Sequence, residues 1–315
     1  MKVAFSPEAL TDPGAHRYLT SIAWMCIDRR HEWVVPDLNT LRVSAWLGAE
    51  GPATRRAFTE LATVVARRSH PPEMIVGRLQ VSSEFTNGCW RAAADIADRA
   101  LRVPVVVVVE NAKCDGAFLR VVALRVGEKI LRRRLQDGGF DLLRKRWSDP
   151  LGDGELLSVR HGGGSTTATQ MELVAEAAPQ LARRVLVLVD SDRSTAGAAL
   201  TGTAGQVEKK YKILTAKYGA KLRIRLRILN KREVENYLPR EALRKYGARF
   251  DQWEQWTDAE RDFNDLKKII NDDLWRVLVN EEYSGMLHEA GLRERAGDKG
   301  RELDDLVDDL IHLLF

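Results

Sequence analysis

Five consecutive valines, Val105–Val109, constrain the fold of this 315-residue chain more than any other feature. β-branched side chains favour extended backbone, and a run without a polar position fits a strand that is covered on both faces. Such strands are typical of parallel sheets in α/β proteins, where helices pack on each side. The run ends in Glu110, so a buried strand leads directly to a carboxylate. The sequence therefore predicts a parallel sheet with an acidic group at its carboxyl edge.

Short apolar segments then alternate with amphipathic ones, which is the pattern of strands joined by helical crossovers. Four strands are predicted, at Val105–Glu110, Leu156–Arg160, Val185–Asp190 and Leu222–Leu229. Helices are predicted between them, at Gly116–Leu135, Thr166–Ala182 and Gly205–Tyr218. The last strand contains RIRLRIL, in which arginines alternate with apolar residues, so it is expected at an edge with one arginine-lined face. The predicted fold class is α/β, with a Rossmann-like parallel sheet flanked by helices.

Residues 1–100 show a different pattern and are predicted to form an α+β domain of unknown role, with partner or nucleic-acid binding as candidates. GPATRRAFTELATVVARRS and CWRAAADIADRAL have helical periodicity, and EMIVGRLQV resembles a strand. Exposed tryptophans here, for instance Trp33 or Trp46, would indicate a partner surface, although burial is commoner. No phosphate-binding P-loop occurs, so any use of ATP would need another chain. Residues 101–315 are predicted to be the catalytic domain with a C-terminal helical extension.

Composition excludes several classes of protein. The hydrophobic share of 44% is spread along the chain, and no apolar run approaches the ~20 residues of a membrane-spanning helix. The first residues lack the layout of a signal peptide, and the 3 cysteines match neither a disulfide framework nor a zinc-binding spacing. A reducing, cytoplasmic location without a membrane partner is therefore expected.

The net charge of +4 conceals an uneven distribution of charge. Between Val207 and Arg249 the chain carries fourteen Lys and Arg residues against four Asp and Glu, and the residues after Asp251 are rich in carboxylates. A basic stretch of this kind suits a polyanionic partner. The alternative is an ordinary charged surface exposed to solvent, and the charge count alone does not separate the two.

Acidic residues follow the predicted strands, where each strand ends. Glu110 ends the first strand, and Asp115 comes shortly after it. Asp190 and Asp192 follow the third strand, and the fourth strand leads to Glu233 and Glu235. The carboxyl ends of parallel strands meet at one edge of a sheet, where ligands of open α/β sheets bind. Carboxylates gathered there repel each other unless cations neutralise them, and oxygen ligands suit Mg²⁺. The pattern predicts a metal site.

Each of these features also has a purely structural interpretation. Asp115 could be the N-cap of a helix, and the acids after the third strand could belong to an ordinary strand-to-helix turn. The sequence HGGGSTT after the second strand could be a tight turn that needs glycine rather than a phosphate cradle. Glu233 and Glu235 could form weak surface ion pairs at a helix start. The metal interpretation rests on the occurrence of acids at successive strand ends.

These residues resemble the TOPRIM domain of topoisomerases, primases and OLD-family nucleases. The resemblance consists of Glu110 after an apolar strand, the DSD sequence Asp190–Asp192 about eighty residues later, and the alternation of strands and helices between them. REVENYL, Arg232–Leu238, is similar to the OLD-type branch, as are the glycines Gly162–Gly164 and the C-terminal DKGRELDDLVDDLI. The resemblance covers residues 100–315. Asn111 stands where many TOPRIM domains have glycine, and the OLD nucleases carry an ATPase domain where this sequence has about a hundred unassigned residues.

The resemblance implies roles for individual residues. Glu110 would be the first metal ligand and a candidate general base, with Asp115 as an added acid on the same loop. Asp190 and Asp192 would bind Mg²⁺ or Mn²⁺, and Glu235 with Glu233 would complete the shell of a second ion. Lys299 would neutralise charge in the transition state.

The function implied is a two-metal nuclease that cuts nucleic acid, with DNA expected rather than RNA. A basic group beside the acids would hold the phosphate backbone without reading bases; it comprises Arg223, Arg225, Arg227, Lys231 and Arg232. By family context, a separate ATPase subunit and a role in bacterial antiphage defence are hypotheses. The alternative is a non-catalytic or partner-activated scaffold or toxin subunit, acting on RNA or in a complex with an ATPase, whose acids bind one structural metal or none.

Overall fold

The computed structural model describes residues 1–28, 30–67, 74–77, 85–86, 89–135, 157–177, 184–219, 223–247, 249–266 and 286–314. The architecture is α/β, with two sheets of mainly parallel strands flanked by helices. The predicted fold class is confirmed at this level. Within the described part of the chain, no helix is long and apolar enough to cross a membrane.

The first sheet is formed by the N-terminal residues. Its strands are β1 (Lys2–Phe5), β2 (Glu32–Trp33), β3 (Met74–Gly77), β4 (Phe85–Thr86) and β5 (Cys89–Ala93), in the order β2-β1-β3-β5-β4. All neighbouring strands are parallel except β4, which is antiparallel to β5. The N-terminal part is therefore closer to a parallel α/β arrangement than to the α+β domain that its sequence suggests.

Helices cover one face of this first sheet. They are α1 (Pro7–Thr11), α2 (His16–Ile27), α3 (Leu38–Arg42), α4 (Ala45–Ala49), α5 (Pro52–Val65) and α6 (Ala94–Arg102). Val3, Phe5 and Val76 belong to the core that these helices share with the sheet. Trp33 and Trp46 are buried in the same core, where their rings lie 6.1 Å apart. Burial, the commoner of the two outcomes expected for these tryptophans, is confirmed.

One prediction for this part of the chain is wrong. The segment CWRAAADIADRAL has helical periodicity, but Cys89–Ala93 is a strand and the helix begins only at Ala94. Trp90 and Ala92 are buried while Arg91 between them is exposed, which is the alternation of a strand with one covered face. Pairing with β3 decided the backbone conformation of these five residues.

The second sheet contains the valine run. Its strands are β6 (Val105–Val109), β7 (Leu157–His161), β8 (Arg184–Val189) and β9 (Arg223–Ile228), all parallel, in the order β7-β6-β8-β9. The four predicted strands are confirmed to within one residue at nearly every end, and β9 is at an edge as expected. Leu156 and Leu222, the predicted first residues of two strands, lie outside the described residues.

Helices cover both faces of the second sheet. They are α7 (Cys114–Val121), α8 (Glu128–Leu135), α9 (Thr167–Ala177), α10 (Gly202–Tyr218), α11 (Arg240–Tyr246), α12 (Phe250–Glu254), α13 (Asp258–Phe263), α14 (Glu289–Ala296) and α15 (Arg301–Leu314). A π-helical turn, Val122–Val126, interrupts the predicted helix Gly116–Leu135. Residues 178–182 of the helix predicted after Thr166, and 267–285 of the C-terminal extension, lie outside the described residues.

The valines of β6 divide between two cores. Val105, Val107 and Val109 pack with α7 and α15 on one face, whereas Val106 and Val108 pack with α9 and α10 on the other. Alternate residues of a strand point to opposite faces, so a strand between two helical layers needs an apolar residue at every position. This is the physical reason for the unbroken valine run, all of whose side chains are buried.

Candidate metal centre

The order of strands in the second sheet creates a crevice between β6 and β8. From β6 the chain first crosses to β7 on one side, and it then adds β8 and β9 on the other side. Ligands of open α/β sheets bind at such a switch point, outside the carboxyl ends of the strands. Glu110 follows β6 and Asp190 follows β8, so the two predicted acids stand at the ends of adjacent strands.

Three carboxylates lie together at this edge. Asp190, Glu233 and Glu235 each present an oxygen, and the three oxygens lie within 4.8 Å of one another. Only 6%, 3% and 4% of these residues, respectively, is exposed to solvent. The group is named here the acidic triad. It combines the end of β8 with a 3₁₀ turn, Val234–Tyr237, that comes more than forty residues later in the chain.

Backbone hydrogen bonds fix the acidic triad in place. Asp190 Oδ1 accepts the N–H of Val234 at 3.0 Å, which ties β8 to the 3₁₀ turn. Glu233 is the N-cap of that turn, where it forms a reciprocal capping box with Asn236, and its Oε1 accepts the N–H of Leu266 at 3.1 Å. Both side chains therefore hold the backbone as well as contributing an oxygen to the triad.

A buried polar network lies next to the triad. The Tyr237 hydroxyl donates to Glu302 Oε2 at 2.6 Å and accepts the N–H of Lys231 at 3.3 Å. Burial raises the pKa of Tyr237 well above its ordinary value, so the hydroxyl remains a donor at neutral pH. Burial also raises the pKa of Glu302, although the hydrogen bonds from Tyr237 and from the N–H of Asn230 oppose that shift.

Asp262 neutralises two cations of this network. It forms ion pairs with Lys231 and, at 3.1 Å, with Arg295, whose guanidinium also donates to the carbonyl oxygen of Asn236 at 2.8 Å. Burial lowers the pKa of Lys231, and the hydrogen bond to Asp262 opposes this. The sequence interpretation missed Asp262, Arg295, Tyr237 and Glu302, because no local motif marks them. The available signals were the ENYL letters, which contain Tyr237, and the C-terminal DKGRELDDLVDDLI, which contains Glu302.

Glu110 is half-buried at the same edge but is not part of the acidic triad. Its carbonyl oxygen accepts the N–H of Gly163 at 3.1 Å, which joins the ends of β6 and β7. Gly163 and Gly164 have φ values of 63° and 57°, a backbone conformation that favours glycine. The glycine run therefore has the tight-turn role that was one of its two interpretations.

Asp115 and Asn111 organise the corner between β6 and α7. Asp115 is buried, and its Oδ2 accepts the N–H of Asn111 at 2.9 Å. Asn111 Oδ1 in turn accepts the N–H of Lys113 at 3.0 Å, at the start of the helix. Asp115 is therefore not the N-cap of α7, since it lies within the first turn of that helix, but its carboxylate does hold the preceding loop. Asn111 accepts N–H groups at the helix start, a role that glycine could not perform. Asp115 is not part of the triad.

Asp192 and Lys299, two residues with predicted catalytic roles, lie outside the triad. Asp192 is exposed and has a φ of 53°, and its N–H donates to the carbonyl oxygen of Arg232 at 3.0 Å. Lys299 is exposed in a short turn that packs between α14 and α15. Lys299 lies three residues before Glu302, whose Oε1 accepts the N–H of Asn230 at 2.7 Å.

The predicted basic group is largely occupied by internal ion pairs. Arg227 forms ion pairs with Asp309 and, at 3.5 Å, with Asp305, both on α15, and Arg225 lies 3.7 Å from Asp309. Lys231 is buried with Asp262, so it does not face a ligand. The prediction that these residues form an open phosphate-binding surface is corrected to this extent. The carboxylates of α15 meet the arginines of β9 because α15 packs against that strand. The two other members are Arg223, which begins β9, and the half-buried Arg232.

The donor set of the acidic triad fits a hard divalent cation. Three carboxylates within 4.8 Å repel one another when all are ionised, unless a cation or a shared proton offsets the repulsion. Mg²⁺, Mn²⁺ and Ca²⁺ take oxygen ligands, whereas zinc sites usually include His or Cys, and neither is in the triad. Asp190, Glu233 and Glu235 can therefore hold a metal ion, which agrees with the predicted site for three of its six residues.

Comparison with known proteins yields no match for this chain. No family model fits it, and neither the curated proteins nor the solved structures include one that is significantly similar. Any function must therefore be argued from the geometry and chemistry of the site itself.

Proposed function

We propose that this chain is a divalent-metal-dependent nuclease with a TOPRIM-like catalytic domain of the OLD type. The observation that supports the proposal best is the buried acidic triad at the carboxyl edge of a parallel sheet, beside a topological switch point. The strand order and the spacing of Glu110 and Asp190 are compatible with it. Mg²⁺ is the ion proposed, with Mn²⁺ as a substitute, since both prefer oxygen ligands.

In this proposal the two metal positions differ in exposure. Asp190, Glu233 and Glu235 hold the first ion in the buried position, while Glu110 and the exposed Asp192 hold a second ion nearer to solvent. A pair of bound ions would activate a water molecule and stabilise the leaving oxygen of a phosphodiester. The protein's own contribution is to fix the carboxylates, through the N–H groups of Val234 and Leu266, before any substrate arrives.

The substrate proposed is nucleic acid, with DNA ahead of RNA, and its backbone must be held by few cations. Because Arg227 and Lys231 are engaged internally, the half-buried Arg232 is the member of the basic group proposed for phosphate contacts, and the exposed Lys299 adds a cation from outside that group. Binding through so few cations predicts weak affinity and a shallow dependence on salt. A separate ATPase subunit and a role in antiphage defence stay part of the proposal on family context alone.

The burial of the acidic triad favours a second candidate function. The triad is almost completely buried, and Glu233 also caps the 3₁₀ turn, which suits a structural metal in a non-catalytic or partner-activated module. In that case the ion would stabilise the junction between β8 and the turn but would not reach a phosphodiester. Metal binding alone does not separate the two candidates, whereas cleavage does.

The deciding experiment measures metal binding and cleavage on the same full-length protein. Supercoiled plasmid, linear DNA and transfer RNA are incubated with Mg²⁺ or Mn²⁺, and metal binding is followed by calorimetry and by thermal unfolding. Asp190→Asn keeps an oxygen for the N–H of Val234 but removes the charge, and the exposed Glu60→Gln is the matched control. Loss of a ligand should reduce cleavage about 100-fold or more, because even second-layer partners of a metal cost about 10- to 100-fold.

The possible outcomes separate the candidates. Cleavage that is lost in Asp190→Asn and kept in Glu60→Gln supports the nuclease. Metal-dependent stabilisation without cleavage, lost in the same variant, supports the structural metal. If Asp190→Asn cuts at the wild-type rate, the triad is not the catalytic site, and if the wild-type protein binds no divalent ion, the triad is not a metal site.

A further inference from the structure

A pocket lies at the carboxyl edge of the first sheet, far along the chain from the acidic triad. Its volume is about 410 Å³, within the ~300–1,000 Å³ typical of small-molecule sites. Residues at the ends of β1, β3 and β5 line it, together with Pro36, which follows β2. All four of these strands are parallel, so their carboxyl ends meet on this side of the sheet.

The pocket also coincides with a switch in the direction of the chain. From β1 the chain crosses to β2 on one side, and β3 is then added on the other side of β1. The crevice between the ends of β1 and β3 is where ligands of open parallel sheets bind. Phe5 at the end of β1 and Gly77 at the end of β3 both line the pocket. Topology and cavity therefore point independently to the same place.

A row of three side chains crosses the sheet inside this pocket. In the register of the strands, Ala4 aligns with Ile75, and Ile75 aligns with Arg91. Partners in register share a face, and their neighbours Val3, Phe5, Val76, Trp90 and Ala92 belong to the helix-covered core. The row therefore lies on the opposite face of the sheet. Ala4 is buried and Ile75 is partly exposed, so the row offers a small apolar area, mainly Ile75, that ends in the exposed guanidinium of Arg91.

The charges of the pocket are well placed for a polar ligand. Arg91 is exposed and forms no salt bridge with another residue of the described ranges. Glu8, of opposite sign, also lines the pocket. Its pKa is held below the ordinary value by hydrogen bonds from its own backbone N–H and from Ser6, and to a smaller extent by the charge of Arg91. Glu8 is therefore an acceptor at neutral pH, and the guanidinium of Arg91 supplies donors in the same pocket.

We propose that this pocket binds a small molecule that has a flat ring and one anionic group. The ring packs against the partly exposed Ile75, and the phosphate or carboxylate accepts paired hydrogen bonds from Arg91. Glu8 accepts an N–H from the edge of the ring and so fixes its orientation. Two sources share this chemistry: a nucleoside monophosphate with an amino-substituted base, and an aromatic carboxylate with a ring N–H. The pocket contains none of the acids of the triad, so the inference does not depend on the proposed nuclease.

The test uses the full-length protein and defined probes. Adenosine, guanosine and cytidine monophosphates form one arm, and indole-3-acetate and indole-2-carboxylate form the other, each titrated by calorimetry and by ligand-observed saturation-transfer NMR. Arg91→Gln removes the charge, while Arg99→Gln changes an exposed arginine on α6 outside the pocket. Ile75→Trp fills the space above the row. Circular dichroism checks that each variant is folded.

Saturable binding in one arm is expected, weakened about 10-fold or more by Arg91→Gln because a hydrogen-bonded charge is lost. Ile75→Trp should weaken the same binding, and Arg99→Gln should leave it unchanged. The arm that binds identifies the source of the ligand. The proposal is overturned if no probe binds the wild-type protein at millimolar concentration, or if a folded Arg91→Gln variant binds as tightly as the wild type.

Discussion

The two sheets of this protein share the order of their first three strands but differ at their carboxyl edges. In each sheet the first strand is central, the second lies on one side and the third on the other, so each has a switch point. At the second sheet this edge carries Asp190, Glu233 and Glu235, whereas the first carries an apolar row that ends in Arg91. Topology thus creates a crevice twice, and the residues after the strands determine what each crevice can bind.

The sheets also differ in how they are covered. The second contributes to a core on each face, while the first contributes its alternate residues to one core among the residues described. The acidic triad beyond the second sheet is nearly inaccessible, whereas the exposed Glu8 and Arg91 border the pocket of the first sheet. Stability measurements test the difference in coverage between the two sheets, and binding measurements test the difference between their carboxyl edges.

The largest effect is expected from removing core side chains in the two sheets. Leu188→Ala in β8 deletes a completely buried side chain and should lower the free energy of unfolding by ~3–5 kcal/mol. Ile75→Ala in β3, on the open face, should cost only about 1 kcal/mol, because little apolar area is lost. Urea unfolding of both variants measures the difference. Equal losses would contradict the difference in coverage.

A smaller effect is expected in the polar network beside the triad. Tyr237→Phe keeps the ring, which packs 5.2 Å from the ring of Phe118, but removes the hydroxyl that contacts Glu302 and Lys231. The loss should be about 2 kcal/mol, because a buried carboxylate loses its hydrogen-bond donor. Denaturant unfolding of the variant and the wild type measures it. A variant as stable as the wild type would mean that water replaces the hydroxyl.

The raised pKa of Glu302 predicts how the free energy of unfolding depends on pH. Because burial raises its pKa above the ordinary 4.5, the folded protein keeps this proton where the unfolded chain loses it. The stability that the protonated group contributes is complete below about pH 4.5 and is lost as pH rises through the raised pKa. The difference in unfolding free energy between wild type and Glu302→Gln should therefore shrink toward neutral pH, by less than the loss in Tyr237→Phe. A difference that does not vary from pH 4 to 7.5 would contradict the shift.

The smallest effect is expected between the two sites, because a substitution at one site should leave ligand affinity at the other unchanged. Arg91→Gln should leave the divalent-ion affinity unchanged, and Asp190→Asn should leave the affinity for an anionic ring compound unchanged, both to within about twofold. The two groups belong to different sheets and share no residue. Calorimetry of each ligand with each variant tests this independence. A change of tenfold in either cross-combination would show that the two edges are coupled.

Much of the second sheet could be predicted from local sequence. An unbroken valine run needs two apolar neighbours on the sheet faces, and this requirement fixed β6 and its parallel partners correctly. The alternation in RIRLRIL placed β9 at an edge. The strand Cys89–Ala93 could not be predicted in this way, because its five residues also fit a helix and only pairing with β3 decided between the two.

The types of residue in the site could be predicted from the sequence, but which of these residues lie together could not. Six acids were expected at the edge, and the oxygens of three of them meet within 4.8 Å. Asp115 was expected to add to the metal site; it is not one of these three residues, and its buried carboxylate accepts the N–H of Asn111. Such local hydrogen bonds compete with ligand roles wherever an Asp follows a strand, and sequence spacing does not reveal which role prevails.

The sequence by itself determined that a buried parallel sheet ends in carboxylates, because strand periodicity and the common direction of parallel strands require only local information. Tertiary structure alone decided which carboxylates meet and which cations remain available. Asp190 joins Glu233 and Glu235 through the hydrogen bond to Val234, and α15 brings Asp305 and Asp309 to the arginines of β9. These contacts join residues more than forty positions apart, and packing of whole elements sets them rather than the pattern within any one element.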